Sequence, residues 1–356
     1  MVEKKKPKKL LFFLIGIVVL IVITIGSYFY MLSPVNSGDK KDIEVVIPSG
    51  TSSSGIASIL KEKKIIRSEL VFKIYLVLHK HNSLKATTYN FKKSMSVSKI
   101  VSMLEEGNTY NPDEVRITFK EGKRITDYAK EISSKMNHSY DEVINVFKNK
   151  ELMKEYISKY WFLTDEVLNS NIYYPLEGYL APDTYHLKNK DVKVEDVITT
   201  MLDQTEKNLE KYKETIKNNV HRAFTLASIL ELEGTTLENR KMIAGVFENR
   251  LKINMNLGSD VTTYYGLQVE MNRDLTTEEF NRENGYNTRY PTMRGKLPVG
   301  PICNFSMSSL EASIYPTDSD YLYFVADKNG KIYYTKTMRE HEEKVAEIKK
   351  NGDWIW

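Results

Sequence analysis

The pattern of hydrophobic and polar positions first sets apart an apolar run at Leu10–Leu32, which holds no charged residue. About 20 apolar residues are enough to span a bilayer, and this run ends in aromatic residues typical of a membrane interface. Five lysines precede the run, which places the N-terminus in the cytoplasm by the positive-inside rule. The pattern therefore predicts a protein of the cell membrane with a cytoplasmic basic tail (1–9) and a single transmembrane helix (10–32). The rest of the chain is expected to lie outside the cytoplasm.

Beyond the predicted membrane helix, short strands alternate with amphipathic helices, which is typical of the α+β fold class. Residues 33–41 are polar and are interpreted as a flexible linker, and residues 42–110 as a small α+β module. In this module the pattern predicts strands at Ile43–Ile47 and Thr88–Lys92 and a helix capped by Ser96.

Residues 111–356 are interpreted as a larger, mixed α+β catalytic domain. An apolar face predicts a helix at Lys241–Lys252. Tyr321–Ala326 is the clearest strand, and an Asn-Gly turn leads from it into a second strand at Ile332–Thr335. After Leu257, Gly, Pro, Asn and Tyr become frequent, which predicts loops that wall a cleft.

Charge and composition narrow the function classes. The formal net charge is +4, but residues 1–9 carry five lysines and one glutamate, so the rest of the chain sums to zero. Nucleic acid is therefore not expected as a partner. Cys303 is the single cysteine, which excludes an intrachain disulfide and a zinc site built on cysteines. The histidines are scattered and no nucleotide-binding motif is present, so neither a metal nor another cofactor is expected.

The candidate chemistry lies in Phe224–Gly234, an apolar segment whose last turn carries two carboxylates. On a helix, Glu233 falls on the stripe of apolar side chains, whereas Glu231 points roughly the other way. Burial on such a stripe raises the pKa of a carboxyl group toward that of a general acid. The alternative is that both are solvated glutamates at a fraying helix end.

Aromatic residues are frequent in the segments that follow. Sugar rings stack on aromatic side chains, and a glutamate with a raised pKa in such a cleft is typical of glycosidic bond cleavage. The alternative is a compositional bias toward tyrosine. The tyrosines concerned are Tyr264, Tyr265, Tyr286 and Tyr290.

Six groups of motifs follow one another along the chain. They are LEGYLAPDTY (176–185), ASILELE (227–233), VFENRL (246–251), the Asp, Thr, Tyr and Gly of 257–266, YNT with LPVGPI (286–288 and 297–302), and YLYFVAD (321–327). Together they resemble the YceG-like family of endolytic murein transglycosylases. The resemblance extends more loosely over residues 43–108, where the family carries a LysM-like module. It departs at Gly234, where Ser or Thr is usual, so a hydroxyl that orients the acid must come from elsewhere.

The resemblance implies peptidoglycan as the substrate and a single catalytic glutamate. Lytic transglycosylases carry Glu-Ser at the end of an apolar helix, which places Glu233 at the catalytic position; the helical stripe selects the same residue. An equally weighted alternative for Arg250 is that it caps the C-terminus of its own helix. The substrate-site candidates are Glu231, Asn249, Arg250, Asp260, Thr262, Tyr265, Tyr286, Asn287 and, more weakly, Glu177.

The function expected from this resemblance is that of an endolytic lytic transglycosylase. Such an enzyme cleaves the MurNAc–GlcNAc bond of peptidoglycan glycan strands, leaves 1,6-anhydro-MurNAc ends and terminates the elongation of nascent strands. The family suggests penicillin-binding proteins and other wall-synthesis proteins as partners. The competing hypothesis is a non-catalytic, membrane-anchored scaffold that binds peptidoglycan.

Overall fold

The computed structural model describes residues 8–81, 83–107 and 113–354, with side chains from residue 13 onward. The backbone contacts divide the chain into two compact units, Met1–Pro112 and Asp113–Trp356. Each unit combines helices with short antiparallel strands, so the predicted mixed α+β class is confirmed. The predicted basic tail lies almost entirely outside the described residues.

The N-terminal unit begins with one long helix and continues as a small α+β module. Its elements are α1 (Lys8–Leu32), β1 (Asp42–Val46), α2 (Ser53–Glu62), α3 (Glu69–Leu78), β2 (Thr88–Lys92) and α4 (Val97–Glu106). Within the part of the chain that the structure describes, Phe13–Leu32 is the one helical stretch long and apolar enough to cross a membrane, with a mean hydropathy of 2.4.

The module packs three helices, α2, α3 and α4, and a two-stranded sheet around one core. Strands β1 and β2 are antiparallel, with Val45 opposite Tyr89. The Ser96 side chain accepts a hydrogen bond from the backbone nitrogen of Lys99, and Gly107 ends α4 in the left-handed region, at φ 70°. The predicted cap and strands are therefore present, whereas α3 was not predicted.

The C-terminal unit is mainly helical. Its elements are β3 (Val115–Thr118), α5 (Ile125–Lys135), α6 (Tyr140–Phe147), α7 (Lys150–Lys159), β4 (Thr184–Leu187), α8 (Val194–Leu209), α9 (Lys213–Ile216), α10 (Val220–Glu233), α11 (Leu237–Lys252), α12 (Asp260–Gly266), α13 (Thr277–Phe280), α14 (Met307–Ile314), β5 (Tyr323–Ala326), β6 (Ile332–Thr335) and α15 (Met338–Lys350). The antiparallel pairs are β3 with β4 and β5 with β6. The predicted terminal hairpin is present, and its first strand begins at Tyr323.

Helix α10 forms the centre of this unit, and α11 and α14 pack against it. Apart from the exposed Arg222, its residues from Val220 to Leu230 are buried, because the helix is apolar on nearly every side. The last turn leaves the core, and the chain turns away at Gly234. A Cβ atom there would lie 2.7 Å from Cγ of Arg240, so the close approach of Arg240 requires glycine. The two glutamates of α10 therefore sit where a buried helix reaches the surface.

Candidate active site

Glu233, the last residue of α10, lines a cleft of about 520 Å³. The walls come from α11, the segment between α11 and α12, the start of α12, the segment that holds Arg289, β5 and α15. The other lining residues are Arg250, Met255, Asn256, Leu257, Gly258, Asp260, Val261, Arg289, Tyr323, Phe324, Met338 and His341. The cleft thus combines one half-buried carboxyl group with cationic, amide and aromatic side chains, which is typical of a site for a polar ligand.

The Glu233 carboxyl group is held by a serine from the segment before α12. The hydroxyl Oγ of Ser259 donates a hydrogen bond of 2.5 Å to Oε1 of Glu233, and Ser259 itself is buried. Burial raises the pKa of Glu233, and the charge of Asp260 adds to this increase. The Ser259 hydrogen bond, Arg250 and Arg289 act in the opposite direction. The net result is a raised pKa, which suits a group that donates a proton.

One wall of the cleft is an aromatic and cationic stack. The guanidinium carbon of Arg250 lies 5.3 Å from the ring centroid of Tyr323, and the His341 ring stacks on Tyr323 at 5.5 Å between centroids. Nδ1 of His341 is buried and has no hydrogen-bond partner among the described residues. Burial and the nearby Arg250 lower the pKa of His341, so this imidazole is neutral at neutral pH.

Arg250 also joins two segments of the cleft. Its Nε donates a hydrogen bond of 2.6 Å to the carbonyl oxygen of Leu322, and its Nη1 donates to that of Leu257. Neither carbonyl belongs to α11, so the hydrogen bonds do not cap the helix that carries Arg250. Arg250 instead links the residue before β5 to the segment before α12, and both segments line the cleft.

Asp260 lies at the open rim and forms an ion pair with Arg289. Both side chains are substantially exposed, at 48% for Asp260 and 43% for Arg289, which leaves them within reach of a ligand. Asn256 stabilises the same rim, since its Nδ2 donates to the carbonyl oxygens of Thr288 at 3.0 Å and Tyr290 at 2.8 Å.

Glu231 occupies a different environment from Glu233. Its Oε1 pairs with Nη2 of Arg240 at 3.1 Å, and its Oε2 accepts hydrogen bonds from Oγ of Ser306 and Oγ of Ser309, both at 2.6 Å. The side chains of the pair are 7% exposed for Glu231 and 11% for Arg240. Glu231 therefore ties the start of α14 to α10. Glu231 was expected in the substrate site, but its carboxylate points into the protein, where these partners bind it.

Glu177 is also buried, with 1% of its surface exposed. Its Oε1 accepts a hydrogen bond of 3.0 Å from the backbone nitrogen of Ile125 at the start of α5, and its Oε2 accepts one of 3.1 Å from the Tyr265 hydroxyl. Burial raises the pKa of Glu177 to about 8, and these hydrogen bonds only partly offset that effect. Glu177 does not line the cleft, so its position indicates a structural contribution.

The predicted sugar-stacking tyrosines are placed differently from the expectation. Tyr265 is 1% exposed and Tyr286 is fully buried, and their ring centroids lie 4.7 Å apart in an edge-to-face contact. A ring without exposed surface cannot stack on a sugar, so these two side chains stabilise the core beneath the cleft. The cleft offers the Tyr323 ring instead.

The remaining candidates fix loops rather than line the cleft. Nδ2 of Asn249 donates to the carbonyl oxygen of Ser319 at 2.6 Å. Oγ1 of Thr262 donates to the carbonyl oxygen of Ser259 at 2.6 Å, which holds the serine that contacts Glu233. Asn287 is buried and accepts a hydrogen bond of 2.9 Å from Oγ1 of Thr263. The structure therefore brings together Glu233, Arg250 and Asp260 in the cleft, and it places the other candidates around this site.

Ser259, Arg289, Tyr323 and His341 are among the residues in or beside the cleft that were not predicted as site residues. The departure at Gly234 indicated that a hydroxyl must come from elsewhere, and Ser259, directly before the predicted Asp260, supplies it. Tyr323 lies within the motif YLYFVAD, whereas Arg289 and His341 come from segments without a local chemical signal. The tertiary fold brings all three to the cleft.

Comparison with known proteins agrees with the motifs. Residues 45–347 match the model of the YceG-like family. The endolytic murein transglycosylase of Bacillus subtilis (strain 168) is 37% identical over 329 residues, which cover 89% of each chain. The endolytic murein transglycosylase of Streptococcus pneumoniae serotype 2 is 33% identical over 356 residues, which cover 93% of this chain and 64% of that protein.

A solved structure extends the similarity to the fold. A 2.6 Å crystal structure of a yceG-like protein from Listeria monocytogenes aligns with a TM-score of 0.61 at 38% identity. The alignment covers 86% of this chain and 99% of the Listeria chain. The family match, the identity to the Bacillus subtilis relative over 89% of each chain and the shared fold all point the same way, and this chain belongs to the YceG-like family.

Proposed function

We propose that this protein is a membrane-anchored lytic murein transglycosylase in which Glu233 acts first as the catalytic acid and then as the base. One observation carries the assignment of Glu233: its half-buried carboxyl group faces the cleft, has a raised pKa and is oriented by Ser259. The relatives from Bacillus subtilis and Streptococcus pneumoniae, both named endolytic murein transglycosylases, support peptidoglycan as the substrate.

In the first step, protonated Glu233 donates its proton to the oxygen that bridges the anomeric carbon of MurNAc and GlcNAc. The bond between the anomeric carbon and this oxygen breaks, and GlcNAc leaves with a free hydroxyl group. Positive charge develops at the anomeric carbon. Glu233 is left as a carboxylate, which the Ser259 hydrogen bond and the nearby Arg250 and Arg289 stabilise.

In the second step, ionised Glu233 removes the proton from the C6 hydroxyl of the same MurNAc. That oxygen bonds to the anomeric carbon and closes the 1,6-anhydro ring, so Glu233 is protonated again and no water is consumed. Two-carboxylate glycosidases use a second carboxylate as nucleophile or base. The other carboxylate that lines this cleft, Asp260, is paired with Arg289, so we assign stabilisation of the anomeric carbon to the substrate's N-acetyl group.

The cellular setting follows from the anchor. We assign Phe13–Leu32 to the membrane, with the N-terminus in the cytoplasm and both units beyond α1 outside the cell, because five lysines directly precede the apolar run, whereas the nearest lysine after it is Lys40. We also propose that the module at 42–110 is LysM-like, that the enzyme terminates nascent strands, and that it works beside penicillin-binding proteins. The family resemblance supports these assignments.

The test separates catalysis from binding. Full-length wild type and Glu233→Gln, in detergent, are incubated with isolated sacculi, and both soluble muropeptides and bound protein are measured. We expect product from the wild type, none from Glu233→Gln, and equal binding of both. Glu238, exposed in the first turn of α11, provides a matched Glu→Gln control that keeps full activity. Binding of both proteins without any product would instead indicate a wall-binding scaffold.

A further inference from the structure

Helix α3 carries an apolar stripe on its exposed side. The positions of its four side chains (70, 74, 77 and 78) place them within an arc of about 100° around the helix axis. Phe72 and Leu76 lie on the opposite side of the helix and are buried in the core of the module. The exposed side chains are Leu70 (66% exposed), Ile74 (39%), Val77 (77%) and Leu78 (65%). Contiguous exposed apolar surface of this kind marks a contact with a partner or with lipid.

The stripe belongs to a module that is fastened to the end of α1. Nη2 of Arg67, just before α3, donates hydrogen bonds to the carbonyl oxygens of Pro34 at 2.6 Å and Val35 at 3.0 Å. The guanidinium of Arg67 also lies over the Tyr30 ring, 4.6 Å from its centroid. Leu32, the last residue of α1, packs against the core of the module. The module therefore begins where the apolar helix ends, without a free spacer.

The segment interpreted as a flexible linker is itself held in place. The backbone nitrogen of Asn36 donates to the carbonyl oxygen of Lys93 at 3.0 Å. Lys93 in turn forms a salt bridge of 3.2 Å with Asp39. These contacts fix the module relative to α1, so that α3 keeps a defined position beside the membrane helix.

Positive charge lies beside the end of α1. Lys61, Lys64 and Arg67 line a cavity of about 420 Å³ together with Tyr30 and Met31 of the last turn of α1. Aromatic residues at the end of a membrane helix lie at the level of the lipid headgroups. The three cationic side chains are consequently at the depth of the lipid phosphates, which attract basic residues.

We propose that α3 lies in the outer leaflet interface of the membrane, with its apolar stripe at the boundary between headgroups and acyl chains. The exposed Lys61 and Lys64 then face the phosphates of anionic lipids. The proposal rests on the membrane anchor of the proposed function. A lipid surface is favoured as the partner because α3 contacts the apolar helix α1 and cationic residues lie beside the end of that helix. The module is thus seated on the bilayer.

The test uses the full-length protein in vesicles of phosphatidylethanolamine and phosphatidylglycerol. Spin labels are attached to cysteines introduced singly by Val77→Cys on α3, Ile21→Cys in α1 and Ser98→Cys on α4. Ser98 is exposed and provides the aqueous control, and the native Cys303 is fully buried and escapes labelling. Collision of each label with oxygen, which concentrates in lipid, is compared with collision with a water-soluble nickel chelate.

We expect the labels at 77 and 21 to collide more with oxygen than with nickel, and the label at 98 to show the reverse. If the label at 77 behaves like the label at 98 while the label at 21 reports lipid, α3 does not contact the membrane, although α1 still spans it. If the label at 21 also reports water, α1 does not span the membrane, and the proposed contact of α3 with lipid is contradicted as well.

Discussion

Ser259 Oγ donates a hydrogen bond of 2.5 Å to Oε1 of Glu233, although the two residues are 26 positions apart in the sequence. In lytic transglycosylases that this chain resembles, a hydroxyl residue directly follows the catalytic glutamate. Here Gly234 occupies that position, and the hydroxyl comes from the segment before α12. The orientation of the acid therefore depends on how this segment is held against α10.

Replacement of Ser259 by alanine is expected to lower kcat by about 10- to 100-fold, because a hydrogen bond to a charged group is lost. This bond lowers the pKa of Glu233, so its loss raises that pKa further. Since Glu233 must be protonated to act, activity falls as pH rises through its pKa. The alkaline limb of the pH–rate profile should therefore move to higher pH in Ser259→Ala. An unmoved limb would contradict the role of Ser259.

Substitution of Gly234 by serine would restore the residue that the family usually carries, but it should not restore its function here. The new Cβ atom would lie 2.7 Å from Cγ and 3.1 Å from the backbone nitrogen of Arg240, which should cost about 1–3 kcal/mol. The backbone is unstrained, with φ at −121°, so the cost is steric. We expect a lower melting temperature in Gly234→Ser and no rescue of Ser259→Ala. Rescue would show that either position can orient Glu233.

The two glutamates of α10 should respond differently to the same substitution. Glu231→Gln leaves the buried Arg240 without its charge partner, which should lower the free energy of unfolding by about 3–5 kcal/mol. Glu233→Gln removes the proton donor and should leave the melting temperature unchanged or raised. Calorimetry and turnover per folded molecule separate the two effects. Retained turnover in Glu233→Gln, with full loss in folded Glu231→Gln, would assign catalysis to Glu231.

Glu177 should make the stability of the fold depend on pH. Its pKa rises from 4.5 to about 8 on burial, so the folded state holds a proton that the unfolded state releases between these values. Stability is thus fully present below pH 4.5 and falls as pH rises toward 8, by at most about 1.4 kcal/mol per pH unit. Glu177→Gln should flatten this dependence in chemical unfolding. If the free energy of unfolding changes with pH in the same way in both proteins, burial does not raise the pKa of Glu177.

Local patterns of the sequence predicted much of the scaffold. Helix α10 follows from its apolar composition, the cap of α4 from Ser96, and the terminal hairpin from its Asn-Gly turn. Helix α3 was missed because its sequence is apolar on both the buried and the exposed side, which weakens the helical period. Its exposed stripe is the surface that we propose contacts lipid.

The candidate site was less accessible to sequence reasoning. The helical stripe selected Glu233, but it carries no information on distant partners such as Ser259 or His341. Tyr265 and Tyr286 were expected in the cleft because tyrosine serves both cores and sugar sites. Their burial beside Glu177 depends on long-range packing that no local pattern records.

In the proposed mechanism, Glu233 removes the proton of the C6 hydroxyl, so that cleavage consumes no water. The most direct measurement is digestion of sacculi by the full-length protein in heavy-oxygen water, followed by mass spectrometry of the muropeptides. We predict 1,6-anhydro-MurNAc ends without heavy oxygen from the wild type and the Glu238→Gln control, and no product from Glu233→Gln. Reducing ends that carry one heavy oxygen atom would contradict this mechanism and identify a hydrolase.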